Sequence, residues 1–218
     1  MKTAVINNKL CVSISDKSIN FAKNKFWDSR FLLELRLDLM SYKHTKDFYA
    51  CPAYIIITCK DNNEKKCLSI YRDFIKHKKP FAVDIEFNYL KNTEWKLFFD
   101  FIKNNNIKSI LSFHNYNNTP DYKELADIYK QIFSAKSDFI KIVTTGQTIK
   151  DLQIIEKLYD DTNDNNLIAF LMGYKALESR INAIKKNAPW IYVAPTQDIT
   201  TALNQPDYYT VKKLLETI

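Results

Sequence analysis

The stretch FLLELRLDLM, residues 31–40, sets charged side chains between leucines at every second position. A strand repeats every two residues, so Glu34, Arg36 and Asp38 leave one face while Leu33, Leu35, Leu37 and Leu39 leave the other. Charges inside an apolar strand are costly unless paired or hydrogen bonded. An open sheet covered by helices is dry on both faces and has no place for them. In a closed barrel they converge on one end, where a site forms. The alternation returns in FAVDIEF (81–87), with Asp84 and Glu86 on one face, and in IKSILSFH (107–114), which ends on His114. It returns again in DFIKIVT (138–144), where Lys141 stands between Ile140 and Ile142.

Four further apolar runs read as strands: LCVSI (10–14), AYIIITC (53–59), LIAFLM (167–172) and WIYVA (190–194). Segments of helical period lie between them, near 19–29, 43–49, 64–78, 93–104, 121–134, 148–160 and 175–186, with a last one at 208–217. Thr119, Pro120 and Asp121 make a good helix start, whereas Thr93 with Lys96 is an incomplete capping box. Strands alternating with helices imply a parallel sheet. Eight such units without a linker suit one α/β domain over residues 1–218, a (β/α)8 TIM barrel, with an open doubly wound sheet as the competitor. The strand count and the charged face favour closure.

Composition narrows the chemistry. The chain of 218 residues has only 2 glycines, where ordinary usage would supply about 15. That excludes the P-loop, the Rossmann fingerprint and a kinase-type glycine-rich loop, each of which needs several glycines to bring backbone against phosphate. A net charge of +7 permits an anionic ligand, but the lysines are spread through the chain among acidic residues, so no nucleic-acid partner is expected. No apolar run is long enough to span a bilayer, and the first twenty residues lack the pattern of a leader segment, so a cytoplasmic protein without membrane contact is expected. Cysteines 11, 51, 59 and 67 form no metal-type pair and read as reduced, packed thiols.

On the charged face, Glu86 lies one strand from His114 and can orient its ring as base or acid. Lys141 among isoleucines has no evident structural reason, and desolvation or a neighbouring cation would free its amine to attack a carbonyl. Ser179 and Arg180 follow the seventh strand, where the arginine fork suits a carboxylate. The long polar stretch from Pro195 to Pro206 is placed to close over the barrel mouth. A divalent ion held by Glu34, Asp84, Glu86 and His114 is the alternative chemistry; Arg36 and Lys141 facing the same carboxylates argue against it.

The ordered set ELRLD, VDIE, SFHNY followed by TP, DFIKIV, AFLMG with SR six residues later, and TALNQ resembles type I 3-dehydroquinate dehydratase over some four fifths of the chain. The resemblance implies a (β/α)8 barrel, usually a homodimer, that needs no metal or organic cofactor. It converts 3-dehydroquinate, a small anionic polyhydroxylated substrate, into 3-dehydroshikimate on the route to aromatic amino acids. It implies Lys141 as the imine-forming amine, His114 as general base and acid, and Glu86 as the residue orienting the imidazole. Glu34 and Arg36 fall to the substrate's hydroxyl side, Arg180 to its carboxylate and Gln205 to the lid, with Asp84, Asp38, Ser179 and Thr201 as secondary positions.

The chain departs from the family in three places. The family's T-x-R pattern with an acid and two glycines becomes Thr58, Cys59, Lys60 and then Glu64, Lys65, Lys66, so Lys60 stands where a substrate-binding arginine is expected and a different loop course follows. Ala176 replaces a glycine, and the S-A-P-G-Q lid becomes TALNQ (201–205), where Asn204 is suited to a left-handed conformation. A Schiff-base aldolase of the same fold and a noncatalytic anion- or nucleic-acid-binding barrel are the competing functions.

Overall fold

Each of the chemically marked strands begins on inward apolar residues and ends on inward polar ones. Leu32 precedes Glu34 and Arg36, Ala82 precedes Asp84 and Glu86, and Ile110 precedes Ser112 and His114. A computed structural model describes residues 9–217; the start of the stretch read for a leader, residues 1–8, lies outside them. The order is β1 (Leu10–Ile14), α1 (Ile19–Lys25), β2 (Leu32–Arg36), α2 (Tyr42–Asp47), β3 (Tyr54–Thr58), α3 (Glu64–His77), β4 (Ala82–Glu86) and α4 (Thr93–Asn104). It continues with β5 (Lys108–Asn115), α5 (Tyr122–Ser134), β6 (Phe139–Gly146), α6 (Ile149–Thr162), β7 (Leu167–Gly173), α7 (Ala176–Lys185), β8 (Ile191–Val193) and α8 (Tyr208–Leu215). The described residues thus form an 8-stranded parallel sheet in the order β7-β6-β5-β4-β3-β2-β1-β8. It is a nearly closed (β/α)8 barrel, open only between β7 and β8.

Two apolar layers follow from the period of two. Outward residues such as Leu33, Leu35, Ile57, Val83, Ile85 and Leu111 pack under the helices. Inward residues Cys11, Leu32, Ile56, Ala82, Ile110, Ile168 and Trp190 fill the barrel. Its floor is aromatic: Phe139 meets Trp190 at 4.6 Å and Phe81 meets it at 6.2 Å, both edge to face. The floor is sealed, so a ligand site has room only at the strands' C-terminal ends.

The second strand is shorter than the alternation over 31–40 suggests. Its ladder with β3 ends at Arg36 opposite Thr58, and without a further partner the chain turns into a 3₁₀ segment at Leu37–Leu39. Asp38 is therefore not a strand residue, and Leu39 is exposed rather than in the core. The helix starts also sharpen. Asn92, not Thr93, caps α4 by accepting from the Glu94 amide, Asp121 caps α5, and Thr148 with Asp151 forms a complete capping box on α6.

Asparagine takes over the turns that glycine usually serves. Asn106, Asn163, Asn187 and Asn204 all have positive φ, between 47° and 67°. The two glycines sit opposite each other at the ends of β6 and β7, Gly146 beside Gly173. Gly173 has φ +70°, and a Cβ on Gly146 would lie 2.4 Å from the Tyr174 carbonyl oxygen. The gap between β7 and β8 is bridged by a side chain: Arg180 of α7 donates from Nη1 to Leu171 O at 2.7 Å on β7 and from Nε to Tyr192 O at 3.1 Å on β8.

Because the Tyr174 backbone cannot move away without breaking its bond to Gly146 O, Gly146→Ala is expected to cost about 2 kcal/mol or more of unfolding free energy. Urea titration of the purified variant measures it, and an unchanged midpoint would contradict the packing described.

Candidate active site

Register places the functional side chains on successive strands. Ser112 pairs with Lys141 and His114 with Val143, so the His114 ring sits one inward position above the Lys141 amine on the neighbouring strand. Both line a cavity of about 190 Å³ together with Glu34, Arg36, Thr58, Lys60, Tyr116, Phe170, Arg180, Tyr192, Thr201 and Gln205. It has room for one compact ring and closes beneath the loop that follows β8.

Lys141 is buried, and its Nζ donates to Asp84 Oδ2 at 2.8 Å; Glu34 Oε1 lies 3.6 Å away and the Tyr192 ring centroid 4.0 Å. Asp84 is fully buried. Burial opposes its ionisation, yet Lys141 and then Lys60 hold the carboxyl far below the usual range. Lys60 Nζ meets Asp84 Oδ1 at 2.9 Å, Glu86 Oε1 at 2.7 Å and Ser112 Oγ at 3.0 Å. These carboxylates prevail over burial and raise the Lys60 ammonium above its ordinary value. Among the described residues no three donors converge to hold a metal ion.

His114 Nδ1 lies 2.5 Å from Glu86 Oε1, close in distance although not along the ring N–H direction. Tyr116 stacks on the ring at 5.8 Å. Burial is the largest influence on the imidazole and pushes it below its ordinary value; Glu86 pulls the other way, and Lys60 and Lys141 add to the depression. Burial resists the charge on Glu86, but His114 and Lys60 overcome it and bring its carboxyl down to about 2. The outcome is a neutral imidazole beside a charged carboxylate near pH 7, the state a general base requires.

Glu34 is held from both sides: Ser13 Oγ donates to Oε2 at 2.6 Å and Thr58 Oγ1 to Oε1 at 2.9 Å. Gln205 Nε2 donates to the same Ser13 oxygen at 3.1 Å, while its Oε1 accepts from the Thr201 amide at 2.9 Å and hydroxyl at 3.0 Å. Arg36 grips Asp38 with two bonds, of 3.1 and 2.7 Å, and donates to Thr201 O at 3.0 Å. The loop is therefore docked onto β1 and β2, with Asn204 left-handed as its sequence position suggests.

Arg180 is 1% exposed and meets no carboxylate. Its partners are the carbonyls of Tyr192, Leu171 and Ala176, with the Phe170 ring 4.1 Å away. Burial alone pushes the guanidinium down to about 9. An unneutralised cation facing a small cavity is a receptor for an anion.

The structure thus gathers Lys141, His114, Glu34, Arg36, Lys60, Arg180, Thr201 and Gln205 around one space. Glu86 and Asp84 stand behind them as partners. Asp38 and Ser179 are not brought to the cavity. Asp38 serves Arg36 from the 3₁₀ turn, and Ser179 Oγ is spent on the backbone of Leu171 and Ala176. Ser13, Thr58, Ser112, Tyr116 and Tyr192 escaped the sequence reading. The alternation held a signal for Ser13 and Ser112, which occupy inward positions where an all-structural barrel would carry apolar residues.

A family model described as Type I 3-dehydroquinase matches residues 10–218. The 3-dehydroquinate dehydratase of Pyrococcus abyssi is 32% identical over 172 residues, covering 75% of this chain and 77% of that one. The 3-dehydroquinate dehydratase of Methanococcus maripaludis strain C5 is 27% identical over 96% of this chain and 99% of its own. The type I 3-dehydroquinate dehydratase structure from Clostridium difficile superposes with TM-score 0.82 at 16% identity, covering 96% of this chain and 91% of that one, a likeness of fold.

Two outcomes are expected from this geometry. Arg180→Met should lower stability by about 3 kcal/mol, because the carbonyls of β7 and β8 lose their charged donor; thermal denaturation measures it. Activity should fall as pH drops through a value below the free imidazole's ~6.5. Glu86→Gln should move that limb lower still, because the carboxylate that favours the charged ring is gone; the pH profile of kcat/KM reads both.

Proposed function

The chain belongs to the type I 3-dehydroquinase family, and from that premise we infer that it removes water from 3-dehydroquinate to give 3-dehydroshikimate through an imine on Lys141. The observation that carries the assignment of roles is the meeting of a buried amine, a neutral imidazole and an unneutralised guanidinium on one small cavity. No resident metal or organic cofactor takes part in the scheme.

In this reading the substrate carboxylate docks on Arg180 and completes its charge. Glu34, held by Ser13 and Thr58, accepts from the ring hydroxyls, while Arg36 and Gln205 keep the loop closed through Thr201. The neutral Lys141 amine adds to the C3 carbonyl; with one proton taken up, the carbonyl oxygen leaves as water and a protonated imine remains. His114 removes a proton from C2, and the electron pair moves into the C2–C3 bond while the cationic nitrogen becomes neutral. The enamine then expels the C1 hydroxyl, which leaves as water with the proton from His114, and the imine is restored in conjugation with the new double bond. Water hydrolyses that imine, releasing product and the Lys141 amine. The Tyr192 ring beneath Nζ favours the cationic nitrogen before and after bond formation. Glu86 keeps the ring of His114 aimed, and Asp84 positions the amine. On the family pattern the protein works as a homodimer in the cytoplasm, and sedimentation velocity checks the dimer.

Borohydride added with 3-dehydroquinate is expected to leave a mass increment on the peptide carrying Lys141, alongside enone absorbance from untreated enzyme. Lys141→Ala should lose both while keeping its fold, since Lys60 still neutralises Asp84. His114→Ala should still form the adduct but turn over about 10² to 10⁴ times more slowly. Adduct without enone, with carbon-carbon cleavage instead, would point to an aldolase and overturn the assignment.

A further inference from the structure

We propose that Lys60 is a positioning residue that links the two reacting side chains, acting as a fixed counter-cation between the carboxylate partner of Lys141 and the carboxylate partner of His114, and not as a substrate ligand. The inference rests on the imine reading above.

An ammonium group has three N–H donors. On Lys60 each has an acceptor: Asp84 Oδ1, Glu86 Oε1 and Ser112 Oγ, all within 3.0 Å. None is left for a substrate hydroxyl or carboxylate, although the side chain borders the cavity. The arrangement is reinforced from the other side, since Ser112 Oγ donates to the same Asp84 oxygen at 2.6 Å. The carboxylates in turn are shared. Asp84 takes Lys60 on Oδ1 and Lys141 on Oδ2, and the Glu86 oxygen that receives Lys60 is the one beside His114 Nδ1. One cation therefore touches both catalytic arms through one carboxylate each.

Charge counting gives this arrangement a task. With Asp84 and Glu86 ionised, Lys60 and Lys141 cationic and His114 neutral, the buried group sums to zero. Attack on a ketone needs Lys141 without its extra proton. With Lys60 present, that leaves one net negative charge; without it, two, in a dry site where each costs several kcal/mol to leave unpaired. Lys60 lets Lys141 give up its proton without stranding Asp84. The same charge opposes protonation of His114 through Glu86, in the direction already seen at that ring.

The other charged and titratable groups facing this network are Glu34 from β2, 3.6 Å from Lys141, Cys11 from β1, Tyr71 from α3, Tyr89 from the turn after β4, Tyr192 from β8 and Tyr116 at the end of β5, with the guanidinium groups of Arg36 and Arg180 across the cavity. Glu34 is the acidic group among them, and its two hydroxyl donors are independent of Lys60.

The test compares wild type with Lys60→Met, Lys60→Gln and Lys60→Arg by three measurements: borohydride trapping with 3-dehydroquinate against pH, the kcat and KM split, and NMR titration of the His114 ring without substrate. In Lys60→Met, the pH of half-maximal trapping and the His114 midpoint should both rise by about one unit. Trapping at pH 7 should slow about tenfold and recover at higher pH, with KM changed less than threefold. Lys60→Arg should restore the wild-type profiles. Lys60→Gln retains donors but no charge and should behave as the methionine variant does, which keeps the test alive if the latter does not fold. A large rise in KM with both pH profiles unmoved would make Lys60 a substrate ligand and overturn the proposal, as would variants indistinguishable from wild type. Wild-type enzyme that neither traps nor dehydrates 3-dehydroquinate would instead refute the reaction, while the ring titration still decides the role of Lys60.

Discussion

Asp84 is a carboxylate with no exposure to solvent, held there by two ammonium groups that approach its two oxygens from different elements and by the Ser112 hydroxyl. Much of the upper barrel follows from that requirement. Lys141 must stand on β6 at the level of Ser112, Lys60 must turn back from the end of β3 over β4, and Ser112 must be small enough to admit both and polar enough to accept from Lys60 while donating to Asp84. A buried carboxylate without a partner is a liability of several kcal/mol, whereas with two it becomes the fixed point of a network. The network then extends outward through Glu86 to His114.

The fold was legible because its physical basis is periodic. Residues 31–40 and 81–87 alternate charge with apolar bulk, and only a closed barrel places such faces together. Strand ends were less legible, since they depend on where a neighbour's ladder stops: β2 ends at Arg36 because β3 ends at Thr58. Of the site, the charged members stand out in an apolar context, while Ser13 and Ser112 leave only the fainter mark of a polar residue at an inward position and Thr58 leaves none, because a hydroxyl residue in a strand is ordinary until register sets it against a carboxylate. The commitment of Lys60 was hidden for a related reason. Its partners lie 24, 26 and 52 residues away and are brought to it by the barrel's curvature. The resemblance to an arginine-bearing family pointed to the substrate, and geometry pointed inward.

The scarcity of glycine begins as an exclusion of phosphate-binding loops and ends as a description of how this barrel is built. Left-handed turns after α4, α6 and α7 fall to Asn106, Asn163 and Asn187, whose short polar side chains tolerate positive φ. The glycines that remain occupy paired positions on β6 and β7, where one has no room for a Cβ and the other needs its backbone angle. The lid follows the same rule, with Asn204 supplying a left-handed residue. Replacement of glycine by asparagine leaves the loop's docking to Ser13 and Arg36 intact, because that docking is made by Gln205 and Thr201.

Arg180 and Lys60 differ in what their positions can accept because their duties differ. Arg180 supplies hydrogen bonds across the one gap in the sheet and presents its charge to the cavity, so the planar fork is required twice, by two strands and by the proposed substrate carboxylate. A lysine could satisfy neither demand, and loss of the side chain would open the barrel as well as empty the anion site. At position 60 the partners are three oxygens arranged around a point, a geometry that an ammonium group fills without strain. There the charge matters and the fork does not. The lysine that stands where the resemblance leads one to expect an arginine is therefore a residue the local geometry accepts, and it marks a position whose contribution is electrostatic rather than one of shape.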